Sequence, residues 1–316
     1  MLKQCRVLTI LYCTVVAFSH AQMGGKAGAF SRLGFGARGM GMGNAQTAVT
    51  TGDVAAYYNP ALLPSAEYRY ASASFGILTL DRKLNFVSFT QTLPPNAGIS
   101  AGIINSGVSN IDGRDRDGDP TGLLRTSENQ FYLGFSVRPK GGLSLGVNLK
   151  LYYYHLYTDV STTTVGVDIG ALLPIGESLT IGATARDINS RYKWDTSKLL
   201  GQQGNTTEDK FPQLYTIGAA YKLPDSLALI AVDVEFSSQS TIIARFGAEL
   251  PVIPELTVRA GMDRVDLKEK GNGVTPTFGF TIRKSFDDFE PAIHYAFIVE
   301  PFASTGMHII SLSVRF

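Results

Sequence analysis

LSLGVNLKLYYY, residues 143–154, alternates without a break. Leu143, Leu145, Val147, Leu149, Leu151 and Tyr153 fall on one side of an extended chain. Ser144, Gly146, Asn148, Lys150, Tyr152 and Tyr154 fall on the other. Successive strand side chains point to opposite faces, so this pattern predicts a strand with one apolar and one polar face.

The pattern recurs. Phe131, Leu133, Phe135 and Val137 alternate with Tyr132, Gly134, Ser136 and Arg138, and similar runs are centred on 165–171, 179–186, 232–236, 245–250 and 278–283. In all, fourteen segments read as strands: 68–80, 83–93, 97–105, 127–139, 143–158, 162–174, 178–189, 213–222, 227–236, 241–251, 255–262, 275–284, 289–299 and 307–316. Most are near the ~9–11 residues that cross a bilayer as tilted strands, and an even count suits a closed antiparallel barrel. Connections sort by parity. Turns such as Pro94-Pro95-Asn96 and Ile175-Gly176-Glu177 are short, whereas the alternate set includes Ser106–Thr126, Asn189–Pro212 and Asp263–Val274. A soluble β-sandwich alternates too, but does not usually separate long from short loops in this way. The predicted fold is all-β: a 14-stranded antiparallel transmembrane β-barrel, residues 67–316, with its short turns on the periplasmic side.

Composition agrees. Charged residues are 17% of the chain, against roughly 25% in soluble domains, and the 316 residues carry a net charge of only +1. Nothing in that balance points to nucleic acid. Met1–Ala21 reads as a secretory signal, with Lys3 and Arg6 before the apolar run Val7–Phe18 and a cleavage site after Ala21. The apolar run is too short for the ~20 residues of a helical span. Both cysteines, Cys5 and Cys13, lie within Met1–Ala21, so the mature chain is expected to carry no thiol. The outer membrane of a Gram-negative bacterium is the expected location. Lipid and the barrel-insertion machinery are the expected partners.

A barrel of about fourteen strands encloses more space than its own side chains fill. The segment 22–66 has few strand-like features and is the predicted plug, with helical turns expected near Asn44–Val49 or Asp53–Tyr57. Within it, GARGMGMGNAQTAVTTGDVAAYYNPALL, residues 36–63, resembles the N-terminal hatch of FadL-type outer-membrane proteins, and more closely that of their PorV/PorQ branch. Gly36, Ala37, Arg38, Met40, Gly41, Met42, Gly43, Asp53, Asn59, Pro60 and Ala61 match the pattern, with Gly39 at its variable position. Leu62-Leu63 departs from the usual Ala-Gly-Leu. The likeness covers roughly residues 27–90. The final strand, ending at Phe316, resembles the C-terminal insertion signal of outer-membrane barrels.

The resemblance implies two different functions. PorV/PorQ-type members hold or hand over cargo in type IX secretion. FadL-type members pass hydrophobic molecules such as long-chain fatty acids. The alternation turns Lys150, Asp168, Arg186, Asp233, Glu235, Arg245, Glu249, Arg259, Arg283 and Arg315 inward. Opposite signs on neighbouring strands can pair and hold a plug, while a greasy path beside them is costly. That favours the secretion reading, with secreted cargo or secretion components as partners. A hydrophobic small molecule is the partner under the alternative.

Other chemistry is weak. Asp115, Asp117 and Asp119 have hard-oxygen spacing, but Pro120 stands where a calcium loop needs Gly, and Thr126 where it needs Glu. A solvated loop is the preferred reading, and no metal or cofactor is expected. His155, His294 and His308 sit on separate strands. His308 and Ser313 differ by an odd number and face opposite ways, so no catalytic constellation is expected. Trp194, with Tyr192 and Lys193, reads as belt or loop packing, with a partner contact as the rival reading.

Overall fold

The computed structural model describes residues 23–139, 142–157, 160–268, 273–301, 303 and 305–316. The secretory signal expected at 1–21 lies outside the described residues. The strands are β1 (Tyr70–Ile77), β2 (Arg82–Leu93), β3 (Ala97–Arg114), β4 (Pro120–Val137), β5 (Ser144–Tyr157), β6 (Val160–Ile175), β7 (Leu179–Ile188) and β8 (Arg191–Asp195). They continue as β9 (Thr206–Lys210), β10 (Leu214–Lys222), β11 (Leu229–Ser237), β12 (Ile242–Ile253) and β13 (Leu256–Asp266). The last are β14 (Thr275–Arg283), β15 (Glu290–Ile298) and β16 (Met307–Arg315).

Fourteen of them close an antiparallel barrel, with β1 pairing both β2 and β16. β8 and β9 form a separate two-stranded sheet. Closure leaves no exposed edge, which is how a sheet of this size avoids edge-to-edge association. Residues 144–154 lie in β5 as their alternation requires. Leu145, Leu149, Leu151 and Tyr153 are exposed on the outside, whereas Ser144, Asn148, Lys150 and Tyr152 are buried. The same inversion holds around the ring: Val165, Ile217, Phe246, Phe278 and Leu312 face out, and Asp168, Thr216, Arg245, Thr277 and Ser313 are buried.

Two connections differ from expectation. Ser106–Thr126 is mostly strand, since β3 and β4 stay paired from Val108↔Thr126 out to Arg114↔Pro120. Asn110, in a left-handed conformation at φ 60°, marks a bulge between Val108 and Ile111. An extra residue there shifts the alternation, which hid the strand from a period-two reading. Asn189–Pro212 holds the β8–β9 hairpin. Trp194 is buried there, T-shaped against Tyr154 at 5.2 Å, with its Nε1 donating to Asp209 Oδ2 at 2.8 Å. That is loop packing.

The N-terminal segment also differs in detail. Its helical turns are Ala29–Arg32, Gly36–Gly41 and Pro60–Ser65. None coincides with Asn44–Val49 or Asp53–Tyr57. The glycine-rich turn Gly36–Gly41 forms against helix propensity because its neighbours leave little room. A Cβ on Gly39 would overlap the Tyr58 ring, and Gly41 approaches the Gly279 backbone. Pro60–Ser65 follows ordinary capping rules: Asn59 is extended at φ −157°, its Oδ1 accepts from Ala61 N–H at 2.9 Å, and Pro60 takes the first helical position.

Candidate functional site

The residues before β1 are packed against the buried faces of strands from all round the ring. Wall glycines make this possible. A Cβ on Gly146 would overlap Pro60, one on Gly170 would overlap Asn59, and one on Gly182 would overlap Thr47. On the far side, a Cβ on Gly247 would overlap Met42, and one on Gly261 would overlap Gly43. Strand glycines thus mark where another backbone comes close. Sequence alternation places them on the inner face without revealing what they accommodate.

Polar contacts fix the segment at several places. Arg38 makes a bidentate pair with Glu249 on β12, Nε to Oε2 at 2.9 Å and Nη2 to Oε1 at 3.0 Å. Glu249 also receives Arg259. Asp233 on β11 accepts the Gln46 and Thr47 N–H groups at 3.0 Å and the Thr47 hydroxyl at 2.7 Å. Asp53 pairs with Arg315 at 2.9 Å and lies 3.2 Å from His294 Nε2. Burial alone would raise the Asp53 carboxyl, but His294, Arg315 and Arg38 hold it below the usual carboxylate range. Burial would likewise lower the Arg38 guanidinium, and Glu249 and Asp53 hold it above its ordinary value. Asn59 adds neutral ties, donating to Thr47 O at 2.8 Å and Ala171 O at 3.2 Å.

Most of the remaining inward charges pair within the wall. Lys150 bridges Asp168 at 2.8 Å and Asp187 at 3.0 Å. Arg186 meets Glu235 at 3.3 Å, and Arg245 joins Glu235 at 3.0 Å to Asp263 at 2.8 Å. Arg283 donates to Thr257 at 3.3 Å. Phe316 donates its N–H to Arg69 O at 3.0 Å and lies beside Phe89 at the seam where β1 meets β16. The alternation does not mark Asp187 or Asp263. Both sit at strand ends, where alternation says least.

Two weaker candidates take definite shape. Asp115 Oδ1 accepts the Asp117 and Asp119 N–H groups, closing the β3–β4 tip. Among the described residues no group of three acidic, histidine or cysteine side chains is placed to hold a metal ion. Ser313 meets His294 rather than His308, Oγ to Nε2 at 2.7 Å. Asp53 approaches the same nitrogen, and Nδ1 is taken by Thr281 at 2.7 Å. A hydrolytic triad needs the carboxylate on the opposite ring nitrogen from the serine. The cluster is therefore an attachment point, not a nucleophilic site.

At the rim that carries the longer connections, a cavity of about 270 Å³ lies between the N-terminal segment and the wall. Leu33 and Met40 line it from the segment, and Ile298 and Met307 from β15 and β16. Asn44, Asp263, Thr277 and Glu300 add polar groups, and Arg82 and Arg264 stand at its edge. Asn44 ties the two sides together, donating to Asp263 Oδ2 at 2.8 Å and to Leu33 O at 3.2 Å. The cavity draws on several separate elements, so no local motif announces it.

Solved structures share this architecture. The toluene transporter TodX of Pseudomonas putida aligns over 89% of this chain and 96% of its own, at 14% identity and a TM-score of 0.62. The monoaromatic hydrocarbon channel CymD aligns over 90% and 97%, at 13% identity and 0.65. A FadL homologue of Pseudomonas aeruginosa aligns over 89% and 98%, at 9% identity and 0.59. What the chain shares with them is the fold. No model of a known protein family matches the chain, and no curated protein sequence does.

Proposed function

We propose that the protein is an outer-membrane barrel whose N-terminal segment, residues 22–66, plugs the interior, and that it passes compact hydrophobic molecules into the cell. Three observations support this reading. The barrel exposes apolar side chains around its outer wall, as a strand-built span requires. Its fold is that of a toluene transporter and a monoaromatic hydrocarbon channel. The cavity between segment and wall carries the argument, because it offers an apolar floor of Leu33, Met40, Ile298 and Met307.

Cavity size bears on the substrate. An engineered cavity of roughly 150 Å³ holds benzene, so 270 Å³ suits about eleven non-hydrogen atoms. That favours compact molecules over long-chain fatty acids. The inward charges do not oppose this route. Apart from Arg283, which donates to Thr257, they pair with one another or with the segment, leaving the floor of the cavity apolar. Saturable binding of toluene to the protein in lipid nanodiscs tests the proposal. Met40→Trp, which fills the cavity, should abolish that binding, whereas unchanged binding would place the site elsewhere.

A second reading has its own support. The match of residues 36–61 to the PorV/PorQ pattern, and the ion pairs at Arg38 and Asp53, favour a fixed plug on a barrel that presents loops to secreted cargo. Affinity capture from native membranes would then recover secretion components or cargo, and loss of the gene would leave cargo unsecreted.

A further inference from the structure

The cavity's polar groups are unevenly distributed. Asp263 is saturated: Oδ1 takes Arg245 and the Arg264 N–H, each at 2.8 Å, and Oδ2 takes Asn44. Glu300 is not. Its Oε2 is buried, yet among the described residues it accepts no hydrogen bond. The nearest cation, Arg82 Nη2, stands 3.6 Å away and donates instead to Thr79 Oγ1 at 2.9 Å. The pair is close enough to balance charge and too far apart to satisfy the oxygen.

A buried carboxylate oxygen without a donor is costly, and more so than a neutral acceptor. A ligand that brings a donor relieves that cost, and one without a donor leaves it in place. Charge narrows the choice further. Glu300 is offset by Arg82, and Asp263 by Arg245. An added ammonium or carboxylate would unbalance the site, and a neutral hydroxyl would not. The two cations at the edge are also the solvent-facing groups, since Arg82 is 38% exposed in its side chain and Arg264 is exposed. They gain little from a ligand anion, because water already serves them.

We infer that the cavity selects compact apolar molecules carrying one neutral hydroxyl, alcohols or phenols, and that Glu300 Oε2 is the acceptor that recognises it. This rests on the transport reading and sharpens it. A donor-bearing ring with its apolar body on Leu33, Met40, Ile298 and Met307 would place its hydroxyl toward Glu300. An all-carbon ligand would fill the same floor and leave the carboxylate unserved.

Four probes with one apolar body test it: 4-methylphenol, toluene, 4-methylbenzylamine and 4-methylbenzoate. Each is titrated against the protein in nanodiscs, with protein-free discs as the blank. The expected order puts 4-methylphenol about ten-fold or more ahead of toluene, the scale of one hydrogen bond to a charged acceptor. Glu300→Leu should erase that margin and leave toluene binding intact or tighter. Arg82→Lys keeps both the acceptor and its counter-charge and should keep the margin, so a folding defect in one variant does not decide the outcome. Equal binding of 4-methylphenol and toluene, tighter binding of the amine or the benzoate, or a margin that survives Glu300→Leu would overturn the inference and leave transport standing. Absence of saturable binding by all four would remove the transport reading as well.

Discussion

Arg38 and Glu249 are joined by two parallel N–H···O bonds, at 2.9 and 3.0 Å, across the boundary between the N-terminal segment and strand β12. Both side chains are largely buried. The fork of a guanidinium fits a carboxylate in a way that a lysine cannot. Removing one member of a buried pair typically costs about 3–5 kcal/mol, much of it from the stranded partner. Here Arg259 remains beside Glu249 and softens the loss. Arg38→Ala should therefore weaken attachment of residues 36–60 by about 2–4 kcal/mol, and Arg38→Lys by less. Limited proteolysis should show faster cleavage within that stretch while the barrel stays intact.

The Asp53 contact sets a pH dependence. Burial opposes the charged carboxylate, but His294, Arg315 and Arg38 outweigh it, so the group is more acidic in the folded protein. A carboxyl lowered by folding adds stability above its unfolded value, about 3.9, and that contribution is lost as pH falls through the folded value. The Asp53 contribution to amide protection around it should be lost as pH falls below about 4. Asp53→Asn should start with lower protection at neutral pH and show a smaller acid step. Identical acid profiles for the two proteins would assign the step to other groups.

The wall glycines predict an effect confined to the segment. Gly247 faces Met42 so closely that a Cβ would overlap its backbone. Gly247→Ala should leave barrel closure unaffected and push the segment away, at about 1–3 kcal/mol for overpacking. Far-UV circular dichroism should be unchanged, and segment proteolysis should quicken. Ala248, next along β12, is exposed on the outer face, so Ala248→Val provides a control that should do neither.

Asn59 serves two structures at once. It caps the turn Pro60–Ser65 through Ala61 N–H and ties Thr47 and Ala171 together through its amide. Asn59→Asp keeps the cap and loses the donor, and Asn59→Ser keeps only a short acceptor. Both should destabilise the segment by about 1–2 kcal/mol, with Asp53 protection falling in parallel. If Asn59→Asp behaves like the native protein, the Thr47 and Ala171 bonds contribute nothing measurable.

Alternation located the strands well where it ran unbroken, as in Leu143–Tyr154. It failed where the backbone changed register. The bulge at Asn110 turned half of β3 and β4 into an apparent loop. Helical turns in the N-terminal segment were misplaced because packing against Tyr58 and Gly279 overrides the poor helix propensity of glycine. Inward charges such as Lys150 and Asp233 follow from parity alone. Their partners do not, since pairing depends on register and on a segment about two hundred residues away in sequence. The cavity was invisible for a related reason. Leu33, Met40, Glu300 and Met307 share no local pattern, and only barrel closure brings them together.

Uptake by intact cells tests the central claim most directly. Cells of the native organism with and without the gene are given labelled toluene at low concentration, and initial rates are measured alongside the amount of secreted surface protein. Transport through the barrel predicts a slower rate without the gene, restored by the wild-type protein and not by Met40→Trp, with secretion unchanged. Equal uptake in all strains, with surface protein lost when the gene is absent, would contradict it.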